Sequence, residues 1–186
     1  MTSHFREHFL KHIEAVEHSL DALDGPVTSA SKAIVKCLKK GGKVLTFGNG
    51  GSAAEASHLA EELVGRFKKN RRPFPAICLT ADSGTVTCIA NDFGYDSVFV
   101  RQIDAFAQTG DVAVALTTSG KSENVNRALR AAHLRGAVTI AITGEAGLRG
   151  AEADHVIAVP SSDSAIIQEV HLMIIHLFCL AVEEIA

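Results

Sequence analysis

Lys43-Val44-Leu45-Thr46-Phe47-Gly48-Asn49-Gly50-Gly51-Ser52, with His58 and Glu62 downstream, is the stretch that decides the fold. A short apolar run stops at a glycine-rich turn, and the turn opens onto helical periodicity over 53–66. The same alternation of strand, turn and helix recurs to the end of the chain. Strands are predicted at 43–47, 76–80, 111–116, 138–143 and 155–159. Each is short and apolar on both faces, as parallel strands covered on both sides must be. Helices are predicted at 53–66, 83–90, 96–107 and 122–134, with a short one near Leu148 and a last one opened by Ser162-Asp163. The pattern predicts an α/β three-layer sandwich around a five-stranded parallel sheet of the flavodoxin-like kind.

Before the first strand, Phe5, Phe9, Leu10, Ile13, Val16, Leu20 and Leu23 recur at helical spacing. Asp24-Gly25-Pro26 is expected to end this helix and start a second, which runs to Lys39-Lys40 and stops at Gly41-Gly42. His4, His8 and His12 form a stripe on the first helix. With Glu7 the stripe could take a metal, but a solvated polar face is the reading adopted. The chain of 186 residues suits one domain, 1–186, with N-terminal helices over 1–40 and an α/β core over 41–186.

The composition, 47% apolar and 21% charged, is that of a globular protein, and a net charge of −3 argues against general attraction to nucleic acid. The basic cluster Lys68-Lys69-Asn70-Arg71-Arg72 reads as a solvated loop. Cys37, Cys78, Cys88 and Cys179 contain no C-x-x-C pair, so free thiols in a reducing, cytoplasmic setting are expected. The opening Met-Thr-Ser-His carries no signal-peptide pattern. The apolar segment 166–185 is interrupted by Gln168, Glu169, His171, His176 and Glu183-Glu184, so it reads as a buried or subunit-facing helix rather than a membrane span.

In open α/β sheets ligands bind beyond the carboxyl ends of the strands, where both polar turns are predicted to lie. Gly48-Asn49-Gly50-Gly51-Ser52 is neither a dinucleotide fingerprint nor a P-loop. It can bring backbone close to a ligand, or it can be a tight turn capped by Ser52. Thr117-Thr118-Ser119-Gly120-Lys121-Ser122 sets four hydroxyls and a glycine ahead of a helix. Hydroxyls together with helix-N-terminal N–H groups coordinate phosphate, whereas a plain cap needs only one hydroxyl. His58 and Glu62 share a helix face one turn apart, as an acid/base pair, a metal site or an ordinary helix pair. Gln168 and His176 lie about 12 Å apart along a helix and about 80° around it, so one metal would stretch both side chains and a site shared between subunits would ease the fit. His171 points about 140° away from His176 and is not expected to serve the same site.

Taken in order, Gly48-Asn49-Gly50-Gly51-Ser52, His58-Leu59-Ala60-Glu61-Glu62 with Arg66, Ala90-Asn91-Asp92-Phe93-Gly94, Thr118-Ser119-Gly120-Lys121-Ser122 and Gln168-Glu169-Val170-His171 with His176 resemble the phosphoheptose isomerase family of the sugar-isomerase (SIS) domain class. The resemblance covers nearly the whole chain. It implies an aldose–ketose isomerase that converts D-sedoheptulose 7-phosphate to D-glycero-D-manno-heptose 7-phosphate, the first step of nucleotide-activated heptose biosynthesis. It also implies a homotetramer with sites between subunits, one zinc ion per subunit, and no nucleic acid or membrane partner. Carried over by position, Glu62 and His176 resemble the family's acid/base pair, and His58, Glu62, Gln168 and His176 its zinc set. Thr117, Thr118, Ser119 and Ser122 would hold the phosphate. Asn49, Gly50, Gly51, Ser52, Asn91 and Asp92 would contact the sugar, with Glu62, Arg66 and Gln168. Thr117 stands where family members often have serine, and Ala165 where some have a polar residue. Two other functions fit the same fold: a non-catalytic SIS protein that binds the replication initiator, and a different phosphosugar isomerase. The presence of both Glu62 and His176 argues against the first, and the Gln168…His176 helix against the second.

Overall fold

The computed structural model describes residues 2–185. In order along the chain come α1 (Thr2–Lys39), β1 (Val44–Gly48), α2 (Gly51–Val64), β2 (Ala76–Cys78), α3 (Ser83–Phe93), a 3-10 turn (Tyr95–Ser97), α4 (Val100–Phe106), β3 (Val112–Thr117), α5 (Glu123–Leu134), β4 (Val138–Thr143), β5 (His155–Ala158) and α6 (Ser164–Glu183). The five strands are all parallel, in the order β2-β1-β3-β4-β5. This is the flavodoxin-like order, and its reversal point lies between β1 and β3, where α/β sheets bind ligands.

Strand periodicity divides the core in two. Val112, Val114 and Leu116 of β3 face α1, α2 and α6, while Ala113 and Ala115 face α3, α4 and α5. Leu59 and Leu63 of α2 are fully buried in the first layer, and truncating either to alanine would cost about 2–5 kcal/mol.

Two expectations about the helices are corrected. The expected break at Asp24-Gly25-Pro26 does not occur: α1 is a single 38-residue helix with Pro26 inside it. Leu23 and Val27 straddle the proline and both bury into the core with Ala30 and Ile34. The apolar stripe is continuous through the proline, and tertiary packing offsets the backbone hydrogen bond that proline removes. The helix expected near Leu148 is absent; residues 144–150 form turns, with Gly147 at φ 65° and Gly150 at φ 117°. The expected 96–107 helix is divided into the 3-10 turn and α4, between which Val98 and Phe99 turn inward and are buried. By length and composition α6 could cross a membrane, but half of it is buried in the fold, where it packs with α1 and α2.

Candidate active site

β1 ends at Gly48, and the chain turns sharply into α2. A Cβ on Gly48 would lie 2.7 Å from the Ser52 carbonyl oxygen and 2.8 Å from that of Leu116, so only glycine fits. Gly50 takes φ 57° and is the helix cap residue. Ser52 is therefore not the cap expected from the sequence; it sits buried within the first turn of α2. On the next strand but one, β3 delivers the hydroxyl loop to the same end of the sheet. Thr117 is buried, and its hydroxyl accepts the Gly120 N–H at 3.2 Å, which braces the turn. Ser119 is exposed and accepts the Lys121 N–H at 3.3 Å. Ser122 occupies the cap position of α5, but its hydroxyl makes no capping hydrogen bond among the described residues. Capping of α5 therefore does not account for these hydroxyls, and Ser119, the exposed one, can still donate its own proton to a ligand.

α2 descends from the glycine turn beside α6, and the two helices meet residue by residue. Gly51 lies against the Gln168 side chain, which a Cβ there would meet at 2.3 Å. One turn on, Glu55 approaches His171, with Oε2 3.6 Å from Nδ1. Next come His58 and His176, whose rings meet edge to face at 5.3 Å. Glu62 follows, with Oε1 3.3 Å from His58 Nε2. His58, Glu62 and His176 are all half-buried, and they bring three ligand atoms within 4.8 Å of one another. The Phe67 ring stacks on His176 at 5.1 Å and fixes its plane.

A divalent metal fits this cluster. His58 Nε2 is buried and faces the Glu62 carboxylate at 3.3 Å without forming a hydrogen bond among the described residues, an arrangement a cation bound between the two groups would complete. Two imidazoles and a carboxylate are the donor set zinc takes in catalytic sites. Cys179, one turn beyond His176, is a softer donor. Burial and then the nearby Glu62 charge push its thiol up to about 12, and it is not among the three groups whose ligand atoms converge. The cluster closes within one chain, so these three groups need no second subunit. Gln168 packs at Gly51, roughly 10 Å along α2 from His58, and the three-residue cluster forms without it.

The remaining predicted residues occupy varied positions. Asn49 is half-buried in the turn. Its side-chain amide pairs reciprocally with that of Asn124, at 2.9 Å in both directions. Asn91 and Asp92 are exposed at the end of α3, where the Asn91 amide donates to Asp92 Oδ1 at 2.7 Å. Arg66 is exposed just after α2. Thr118 is half-buried, and its hydroxyl lies 3.5 Å from that of Ser164. His171 is fully buried, with Nε2 3.3 Å from the Thr143 carbonyl oxygen, and it stays apart from His176 as its helical phase predicts. Met173 and the exposed faces of Leu177 and Leu180 border a groove of about 1010 Å³ between α1 and α6.

Two sequence expectations need amendment. His8 and His12 are not simply solvated: they close on the two oxygens of Glu169, at 2.7 and 2.6 Å, and tie α1 to α6 beside Gln168. The basic cluster is partly structural, since Arg71 donates to the Glu62 and Leu63 carbonyl oxygens at 2.5 and 2.9 Å. The cysteines behave as expected, with Cys37, Cys78 and Cys179 buried and Cys88 exposed, all as free thiols. Sequence reasoning missed Glu55, Tyr95, Asn124 and Phe67. Glu55 did carry a signal, because Gly51, Glu55, His58 and Glu62 lie on one helix face.

Comparison with known proteins agrees with this architecture. The SIS domain profile matches residues 7–144. The phosphoheptose isomerase of Aquifex aeolicus is 51% identical over 159 residues, which is 85% of this chain and 83% of that protein. That of Nitratiruptor is 44% identical over 99% of both chains. The solved structure of a phosphoheptose isomerase from Francisella tularensis superposes with a TM-score of 0.94, at 36% identity over 98% of each chain.

Proposed function

We propose that this chain, which belongs to the phosphoheptose isomerase family of SIS-domain proteins, is a phosphosugar aldose–ketose isomerase that converts D-sedoheptulose 7-phosphate to D-glycero-D-manno-heptose 7-phosphate. The observation that carries the reading is the convergence of His58, Glu62 and His176 below a glycine turn whose neighbour is a loop of four hydroxyls set ahead of α5. The run of α2 from the turn to His58, roughly 10 Å, is on the scale of an extended heptose chain.

The hydroxyls of Thr118, Ser119 and Ser122, with the first N–H groups of α5, bind the phosphate and anchor the far end of the substrate. Thr117 contributes by holding the loop in shape. Asn49, Gly50, Gly51, Ser52 and Gln168, with Asn91, Asp92 and Arg66, line the path of the sugar hydroxyls. At the reacting end the Glu62 carboxylate takes the proton from the carbon next to the carbonyl. The electrons of that C–H bond form the enediol double bond, and His176 delivers a proton to the former carbonyl oxygen. Glu62, its proton exchanged with solvent while the enediol stands, then protonates the neighbouring carbon, and loss of the other hydroxyl proton to His176 completes the isomerisation. His58, Glu62 and His176 would hold zinc, with Gln168 completing the set only where two subunits share the site. The chemistry zinc supplies when bound is polarisation of a carbonyl oxygen. Binding energy from the remote phosphate positions the reacting carbons.

A homotetramer is part of the proposal. It is supported by the α1–α6 groove and by the exposed apolar residues Phe5, Phe9, Leu10, Ile13 and Leu20 of α1, a surface suited to a second copy. The test is incubation of the purified protein with sedoheptulose 7-phosphate and identification of the product. Appearance of the aldoheptose 7-phosphate is expected, and failure to isomerise it under any metal supply would refute the reading.

A further inference from the structure

Asn49 stands at the carboxyl end of β1, and its amide is held by more partners than a ligand-seeking side chain needs. The orientation of that amide follows from a chain of hydrogen bonds that begins at a donor of known direction. The Val125 backbone N–H donates to Asn124 Oδ1 at 3.0 Å. A backbone N–H can only donate, so the oxygen of the Asn124 amide must face it. The Asn124 nitrogen then faces Asn49 and donates to Asn49 Oδ1 at 2.9 Å, while Asn49 Nδ2 returns a bond to Asn124 Oδ1 at 2.9 Å. Tyr95 Oη donates to the same Asn49 Oδ1 at 2.9 Å. An amide oxygen has two lone pairs, and both are now taken. Of the two amide protons of Asn49, one is bound to Asn124 and one is free.

We propose that Asn124 and Tyr95 are positioning residues that lock Asn49 as a one-way donor, able to recognise only an acceptor oxygen of the ligand, a hydroxyl lone pair or a carbonyl. The proposal rests on the sugar-contacting place given to Asn49 above and adds to it the polarity of that contact. The lock also joins three segments. Asn124 is buried in the first turn of α5, directly after the hydroxyl loop, and Tyr95 follows the Asn91-Asp92 end of α3. One amide thus ties the turn after β1 to the elements that bring the phosphate loop and the Asn91-Asp92 segment to the site.

The chain supplies its own reporter, since Tyr95 is its only tyrosine and it has no tryptophan. Tyr95→Phe removes one hydrogen bond and little volume. It is expected to raise KM for the phosphosugar about fivefold while kcat changes less than about twofold. In an Asn49→Ala background the same Tyr95→Phe change is expected to move KM by less than about twofold, because the group it acts through is gone. A Tyr95→Phe effect of equal size in both backgrounds, or no effect in the otherwise unaltered protein, would overturn the proposal. A second readout needs no turnover. Asn49→Ala should change the ultraviolet emission of Tyr95, and unchanged emission overturns the lock whatever the kinetics give. If the unaltered protein fails to isomerise sedoheptulose 7-phosphate while Asn49→Ala still changes that emission, the isomerase reading falls and the lock stands.

Discussion

Gly51→Ala should separate activity from stability. A Cβ at Gly51 would lie 2.3 Å from Gln168 Nε2, 2.9 Å from Cδ and 3.0 Å from Oε1, whereas ordinary contact begins at 3.4 Å. The amide must retreat by the difference, 3.4 − 2.3, or 1.1 Å. Because the clash is with the end of a flexible side chain and Gly51 lies in ordinary helical backbone, the fold can absorb it. Alanine in a helix is better than glycine by up to about 1 kcal/mol, so Tm should hold or rise. The site has no such slack. A displacement of about 1 Å in a positioning group costs on the order of 10²-fold, equivalent to about 2.7 kcal/mol of transition-state stabilisation. The assay is kcat/KM for sedoheptulose 7-phosphate alongside thermal unfolding of the same preparation. A variant that keeps more than about half the parental kcat/KM at unchanged Tm would refute the placing of Gln168 at the substrate, since so large a contact cannot be relieved without moving it.

Other consequences can be checked separately. Ser119→Ala should raise KM for the phosphorylated sugar about tenfold with little change in kcat, since a remote anion contact is felt equally in ground and transition states; steady-state kinetics decides it. His58→Ala should lower the zinc content of the purified protein, measured by atomic absorption, while leaving the far-ultraviolet circular dichroism intact. Burial opposes the charge of Asp154, but the backbone N–H and hydroxyl of Thr139, each at 2.8 Å, with His133 and His155, outweigh it and hold the carboxyl below its ordinary value. A depressed acid stabilises the fold above its unfolded pKa, and the contribution is lost as pH falls through the folded value. Asp154→Asn should therefore lower Tm by roughly 3 °C near neutrality, with the gap closing below about pH 4.

The sheet and its motifs were legible because the signals that define them are local. The apolar run at 138–143 became β4 with the same bounds, and the glycines at 48–51 and 120 stand where the backbone needs them. Gly25-Pro26 misled because a local breaker was overruled by packing on both sides of it, through Leu23 and Val27. The pairing of α2 with α6 was half legible. The single-face spacing of Gly51, Glu55, His58 and Glu62 was in the sequence, but which residues of α6 would oppose them was not. Helical phase alone put Gln168 and His176 far apart. The structure keeps them apart, Gln168 at Gly51 and His176 at His58. Tyr95, Asn124 and the Glu169 bridge to His8 and His12 were invisible because each depends on partners between 46 and 161 residues away.

The central claim is that Glu62 moves a proton between adjacent sugar carbons. It is tested most directly by running the reaction in deuterium oxide and locating the label by NMR. The account predicts deuterium on the carbon next to the aldehyde of the product, and loss of both turnover and labelling in Glu62→Gln. Product formed without label, at an undiminished rate in Glu62→Gln, would contradict it.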